Sequence, residues 1–471
     1  MFTKSSVKKL TIVLAALLVC AALLFAACNP AQSFTPRTVL SGKTPVGNGG
    51  IAVQYGEWLY YVNGNISSPT TADNSYTETL RSGAVVRIKL ADLQSILKYS
   101  ASSVDMTASE KSKELQRQVR EAAEMVGPNV YYTANTADAS LNGIYIFGDR
   151  IYITTPNDKL DNKGDVLTSQ LVLTSYNLGG GDRQRHVVFE SNAPLLKLAE
   201  IDGSVYATYV LGGTLYNYKV GDSEPTKIAE EISSQQVSGN NFFYRNKDGS
   251  ICRYTVGAKE ATELVTLVQP EGHEDHNHNS YTIQKVNGDY VYYTFTSSET
   301  IGKPDENGQV LFGTNVPVVD GEHKVIIHSI PSNYYCYGEK VYFTEKDGKD
   351  PEKSQYLLLS AYDTGNRETV RHEKGSITMQ KLEGSVLYYQ VSSVTYTLDL
   401  AVEGAEPVPY AYSYNLSASG WAYPDVLTVG TGEDAVTYMF TLGTDSISVV
   451  TFNPTSLKNS SSTSILLVAE K

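Results

Sequence analysis

The chain has 471 residues, 41% of them hydrophobic and 19% charged, which is the composition of an ordinary globular protein. Its formal net charge is −13. That balance argues against a general phosphate-binding surface, and so against nucleic acid as a partner, and favours neutral or cationic partners.

The first 28 residues read as an export signal rather than as part of a fold. Lys4, Lys8 and Lys9 form a positive start, and residues 10–27 are an apolar run without charge. The run ends in Leu24-Phe25-Ala26-Ala27-Cys28. These residues resemble the lipobox of bacterial lipoproteins, with Phe25 standing where that family prefers Leu. The resemblance implies cleavage after Ala27 and lipid attachment at Cys28, with the rest of the chain facing the cell exterior or periplasm. Loss of residues 1–27, with three lysines and no acid, would take the net charge from −13 to −16. An uncleaved transmembrane anchor is the alternative, because 18 apolar residues just suffice to span a bilayer. Residues 28–49, with Pro30, Pro36, Gly42, Pro45, Gly47 and Gly49 and few bulky side chains, read as a flexible tether.

From residue 50 onward one phrase recurs, a turn with Gly followed by an apolar, tyrosine-rich strand. It appears at Gly56-Glu57-Trp58-Leu59-Tyr60-Tyr61-Val62, Gly148-Asp149-Arg150-Ile151-Tyr152, Gly203-Ser204-Val205-Tyr206 and Gly239-Asn240-Asn241-Phe242-Phe243-Tyr244. It returns at Gly288-Asp289-Tyr290-Val291-Tyr292-Tyr293, Gly338-Glu339-Lys340-Val341-Tyr342-Phe343 and Gly384-Ser385-Val386-Leu387-Tyr388-Tyr389. A degenerate eighth copy is read at Gly420-Trp421-Ala422-Tyr423. The spacings are 92, 55, 36, 49, 50, 46 and 36 residues. An all-strand period of about 40–50 residues marks a β-propeller. The sixth unit divides most readily into four strands, at 333–337, 340–345, 356–362 and 367–372. Residues 50–471 are therefore expected to form an all-β propeller of about eight four-stranded blades, with seven as the alternative. The 34 tyrosines are read mainly as blade packing.

The long first spacing holds the one departure from β pattern. Thr107 to Glu110 is a capping box, followed by apolar Leu115, Val119, Ala122 and Val126 and stopped by Gly127-Pro128. An amphipathic helix over 108–126, within an insertion at about 104–127, is expected between the first and second blades. It either packs on the rim or docks a partner. In the second unit, Asn157-Asp158-Lys159-Leu160-Asp161-Asn162-Lys163-Gly164-Asp165 lacks the spaced Glu of a calcium loop and reads as a hairpin tip. Residues 271–279 carry His273, His276 and His278 among carboxylates. They are candidate ligands for a divalent metal such as zinc, copper or nickel, or simply a solvated loop. No other cofactor is expected. Cys252 and Cys336 lie in non-adjacent units and are expected as buried thiols. A terminal strand often completes the first blade of such a ring; which terminus does so is left open.

No Gly-x-Ser-x-Gly elbow, His-Glu-x-x-His, phosphate-binding Gly loop or Cys-x-x-Cys pair occurs, which leans away from an enzyme and leaves the catalytic residues unknown. Leu59-Tyr60-Tyr61-Val62, Ile151-Tyr152-Ile153-Thr154, Val291-Tyr292-Tyr293-Thr294 and Val341-Tyr342-Phe343-Thr344 resemble the Tyr-Trp-Thr-Asp repeat of receptor-type propellers, without its Trp and Asp. They resemble more closely a set of exported bacterial propellers of that kind. The reading that follows is a membrane-anchored binding or scaffold module for a protein or envelope partner. The alternatives are a glycan-binding or glycan-processing surface protein, and metal binding through residues 273–278.

Overall fold

The structure is a computed structural model. It describes residues 44–64, 83–102, 105–127, 143–160, 166–191, 195–267, 279–297, 310–314, 324–327, 332–346, 356–363, 366–392, 394–410, 425–429, 436–443, 446–452 and 465–466. The chain divides into two compact units, Met1–Val39 and Leu40–Lys471, and every described residue belongs to the second.

That unit is an all-β propeller with two helices. Its described strands form eight four-stranded antiparallel sheets. Sheet one comprises Ala52–Tyr55, Trp58–Val62, Val85–Lys89 and Glu124–Gly127. The others start with Tyr145–Phe147, Leu195–Ile201, Ser233–Ser238, Asn279–Asn287, Tyr334–Tyr337, Ile377–Glu383 and Asp425–Val429, and each is a meander of four consecutive strands.

The recurring phrase is the hairpin between the first two strands of sheets one to seven. In six of them the two-residue turn is Gly-X, with Gly56, Gly148, Gly239, Gly288, Gly338 and Gly384 at φ between 57° and 61° and the next residue at negative φ. This is the signature of a type II′ turn, whose twist matches the flanking strands and whose first position takes Gly. Sheet three uses Asp202-Gly203, with φ of 49° and 71°, the double positive pair of a type I′ turn. In sheet eight the first two strands are Asp425–Val429 and Val436–Gly443. The copy read at Gly420 therefore precedes that sheet instead of turning it, and it lies outside the described residues.

Tyrosine dominates the core: nine of the eleven largest fully buried side chains are Tyr. The reason is a division of labour within the ring. At Tyr55, Tyr60 and Tyr292 the apolar body fills the space between sheets while the hydroxyl reaches a backbone carbonyl of the next one. Tyr55 of sheet one donates to Gly148 O (3.1 Å), and Tyr292 of sheet five donates to Gly338 O (2.6 Å). Tyr60 donates to Leu178 O, between the last two strands of sheet two (3.0 Å).

Apolar clusters join sheets eight, one and two, then two and three, three and four, four and five, and five, six and seven. The last sheet packs directly on the first, with Leu427, Tyr438 and Phe440 in the cluster of Val53 and Leu59. Neither terminus lends a strand to the other's sheet among the described residues; packing joins them, together with a hydrogen bond from Gln94 Nε2 to the Tyr438 hydroxyl (2.9 Å).

Two helices occur where one was expected, α1 (Leu90–Ser102) and α2 (Ala108–Ala122). They lie between the third and fourth strands of sheet one, not between two sheets, because Glu124–Gly127 returns to pair with Val85–Lys89. The capping box forms as read: Glu110 N donates to Thr107 Oγ1 (3.3 Å) and Thr107 N to Glu110 Oε2 (3.1 Å). Leu115 and Val119 form the buried stripe of α2. The helix stops at Ala122 because Ala123 turns extended and Glu124–Gly127 is claimed by the sheet ladder, so Gly127 is a strand residue rather than the helix stop. Arg87 and Glu124 pair across this returning strand at 2.8 Å, with Arg87 also donating to Leu178 O (2.9 Å) and lying 4.1 Å over the Trp58 ring.

Candidate functional site

The incoming segment 46–50 straps sheets one and two together. Val46 bridges Gln54, Gly49 N donates to Ile144 O (2.7 Å), and Ile144 N donates to Gly50 O (2.8 Å). The Asn48 side chain completes the clamp, donating to Ile146 O (3.1 Å) and accepting from Ile146 N (2.6 Å). A carboxamide alone offers this donor and acceptor pair to one peptide unit.

Beside the strap is an open-mouthed cavity of about 400 Å³. It is built toward the first-hairpin ends of four consecutive sheets: Tyr55 from sheet one, Phe147 and Gly148 from sheet two, Lys197 and Glu200 from sheet three, and Asn240 from sheet four. Pro45 and Asn48 of the strap close one side. Its size is in the range of small-molecule and peptide-end sites. The wall is fixed by aromatic packing. Tyr145 stacks on Phe147 with centroids 6.1 Å apart, and the Lys197 ammonium lies 5.9 Å from the Tyr145 ring centroid. Burial pushes the Tyr145 hydroxyl far up from the usual tyrosine range, so it acts as a neutral hydrogen-bonding group. The rim offers both charges, Lys197 half-buried and Glu200 exposed.

Behind Phe147 the aromatic row continues through Tyr152 (5.9 Å) to His186 (5.7 Å). His186 Nε2 and Ser175 Oγ are 2.8 Å apart, while Arg150 Nε donates to the same Ser175 Oγ (2.9 Å). Arg150 takes one of the two lone pairs of the hydroxyl, and the direction of the Ser175–His186 bond follows the imidazole tautomer. Burial, aided by the Arg150 charge, brings His186 down to about 4. Ser175 is fully buried, so the pair is an internal strut rather than a nucleophile and base poised for a substrate.

Cys28 and the three histidines, His273, His276 and His278, all lie outside the described residues. Among the described residues no group of three His, Cys, Asp or Glu side chains could hold a metal ion, and no helix is long and apolar enough to cross a membrane. Cys252 and Cys336 are buried free thiols, in sheets four and six. Sequence reading missed Lys197, Glu200 and Asn48. The available signal was a pair of charges inside the otherwise apolar run Leu195-Leu196-Lys197-Leu198-Ala199-Glu200, just before a turn. It becomes informative only once that run is known to be a first strand facing the turn end.

No family model and no curated protein sequence matches the chain. Among solved structures, it is similar to the computationally designed Ika8 protein, at 10% identity and TM-score 0.33, covering 70% of this chain and 86% of that one. The β-propeller domain of the Trilobed protease from Pyrococcus furiosus gives 15% identity and TM-score 0.33, over 68% and 98%. A prolyl endopeptidase gives 14% identity and TM-score 0.35, over 90% of this chain and 56% of that one, so the chain spans about half of that enzyme's length. Scores this low carry no inference about fold or function; the fold rests on the order and pairing of the sheets.

Proposed function

We propose that the protein is an exported, lipid-anchored propeller, its eight sheets serving as eight blades, which binds a protein or envelope component at the mouth ringed by the Gly-X turns. The observation that carries the binding reading is the cavity between the strap and sheets one to four, with its clamped wall and its rim of both charges. A pre-organised wall lowers the ordering cost of association. Binding is favoured over catalysis because the Ser175 hydroxyl beside His186 is fully buried and offers no nucleophile to a substrate. Support for the anchor comes from Leu24-Phe25-Ala26-Ala27-Cys28 and the tether behind it.

Two measurements separate the parts of this proposal. Cys28→Ser should abolish metabolic labelling with palmitate and release the chain from the membrane fraction; unchanged membrane retention would sink the anchor. For the mouth, a photoreactive residue is placed at Asn240 and, as a control, at Asp248, in the hairpin at the other end of sheet four. In intact cells Asn240 should give a discrete adduct that Lys197→Glu abolishes and Asp248 should not. Equal adducts from both positions, or none, would remove the mouth as the binding face.

A further inference from the structure

The third residue of the second strand is aromatic in all eight sheets, seven times Tyr and once Phe. Within the array this position ties a sheet to the one that follows. Tyr60 of sheet one donates to Leu178 O of sheet two, and Tyr292 of sheet five to Gly338 O of sheet six. The equivalent residue of sheet eight is Tyr438, which is fully buried. Its hydroxyl accepts from Gln94 Nε2 (2.9 Å). Gln94 belongs to α1, so the last sheet finds its partner in the helical insertion of the first. The receiving position matches as well: Leu178 is the first residue after the third strand of sheet two, and α1 begins directly after the third strand of sheet one.

The insertion stands out against its counterparts. Residues 178–183, 220–225 and 256–261 join the third and fourth strands of sheets two, three and four; in sheet one the same connection is residues 90–123. Leu93, Ile96 and Leu97 of α1 share one buried cluster with Leu427 and Phe440 of sheet eight. Consecutive sheets are kept side by side by the chain that links them. Sheets eight and one come from opposite ends of the described chain, and no described strand is shared between them. Their junction is therefore closed by contacts alone, across the longest loop the fold has to close. It is also the junction that gains contacts from an extra element. We propose that α1 and α2 are the clasp that closes the ring, holding the last sheet on the first in place of a shared strand.

Hydrogen exchange of the full-length chain, read peptide by peptide by mass spectrometry, tests this. The double substitution Gln94→Leu with Leu97→Ala removes the tie to Tyr438 and loosens α1 on its cluster. Peptides covering 425–429 and 436–443 of sheet eight should then exchange about tenfold or more faster, while 241–245 and 251–255 of sheet four keep the unsubstituted rate, as expected of local opening. Faster exchange confined to 90–102 and 108–122, with sheet eight unchanged, would mean that the helices cover the rim without closing the ring, and would overturn the proposal. Exchange unchanged everywhere would overturn it too. Should protection be lost in every sheet, Tyr438→Phe decides, since it removes a single hydroxyl: release of sheet eight ahead of sheet four upholds the clasp, and any other result overturns it.

Discussion

Replacing Gly143 by Ala should dislodge the strap and with it one wall of the cavity. An added Cβ at Gly143 would collide with Gly49 O and stand 2.6 Å from Gly50 O. Both neighbours are backbone atoms, so relief requires the chain to move rather than a side chain to turn. The movement breaks the hydrogen bonds between Gly49 and Ile144 and between Ile144 and Gly50, and with them the two-way clamp of Asn48 on Ile146. At about 0.5–1.5 kcal/mol net for each, these four bonds contribute about 2–6 kcal/mol to holding the strap, beside the Val46–Gln54 bridge. The substitution therefore leaves most of the fold standing and raises the open fraction of the strap by at least an order of magnitude. Limited proteolysis reads this directly: Gly143→Ala should be cut within residues 44–50 well before any strand is cut. It should also lose the adduct at Asn240. A variant that resists cleavage there as the unsubstituted chain does would refute the role of the strap.

Three other substitutions probe separate layers of the structure. Gly338→Ala meets no atom within 4 Å, so its cost is torsional alone; with φ at 57° it should lower unfolding free energy by about 1–3 kcal/mol in denaturant titration without exposing the strap. Arg87→Met takes the guanidinium from Glu124 and one of two donors from Leu178 O, leaving Tyr60 as the other, and should cost about 3 kcal/mol by the same titration. His186 is held down to about 4, below its unfolded value, so the folded chain binds fewer protons there than the unfolded one. Its contribution is intact above the unfolded value near 6.5 and is lost as pH falls from there toward 4; His186→Gln should narrow the difference in denaturation midpoint between pH 7 and pH 5.

The repeat was legible because its turn demands a residue type. Six Gly-X turns at nearly the same φ leave a fixed mark in the chain, and the tyrosine four residues on leaves another, since Tyr60 and Tyr292 both send hydroxyls to the next sheet. The capping box of α2 was equally plain, being a local contact between residues three apart. What escaped notice was set by distant partners. Glu124–Gly127 reads as the tail of a helix until its ladder with Val85–Lys89 is known. α1 follows directly on the third strand without a capping signal before it. The cavity is assembled from positions as far apart as Pro45 and Asn240, and no spacing in the sequence predicts their meeting.

The eight meanders, each closed within its own stretch of chain, bear on how the protein acquires its structure. A sheet whose four strands are consecutive needs only local loop closures, the helical insertion of sheet one being a long one, and local closures are the quick ones. Such a chain, emerging residue by residue, is able to complete its sheets in order from the N-terminal side, each one templating the face of the next. Only the docking of Leu427, Tyr438 and Phe440 onto the sheet of Val53 and Leu59 joins the last part made to the first. Because no described strand of either terminus pairs with the other end's sheet, that step is a meeting of two finished surfaces.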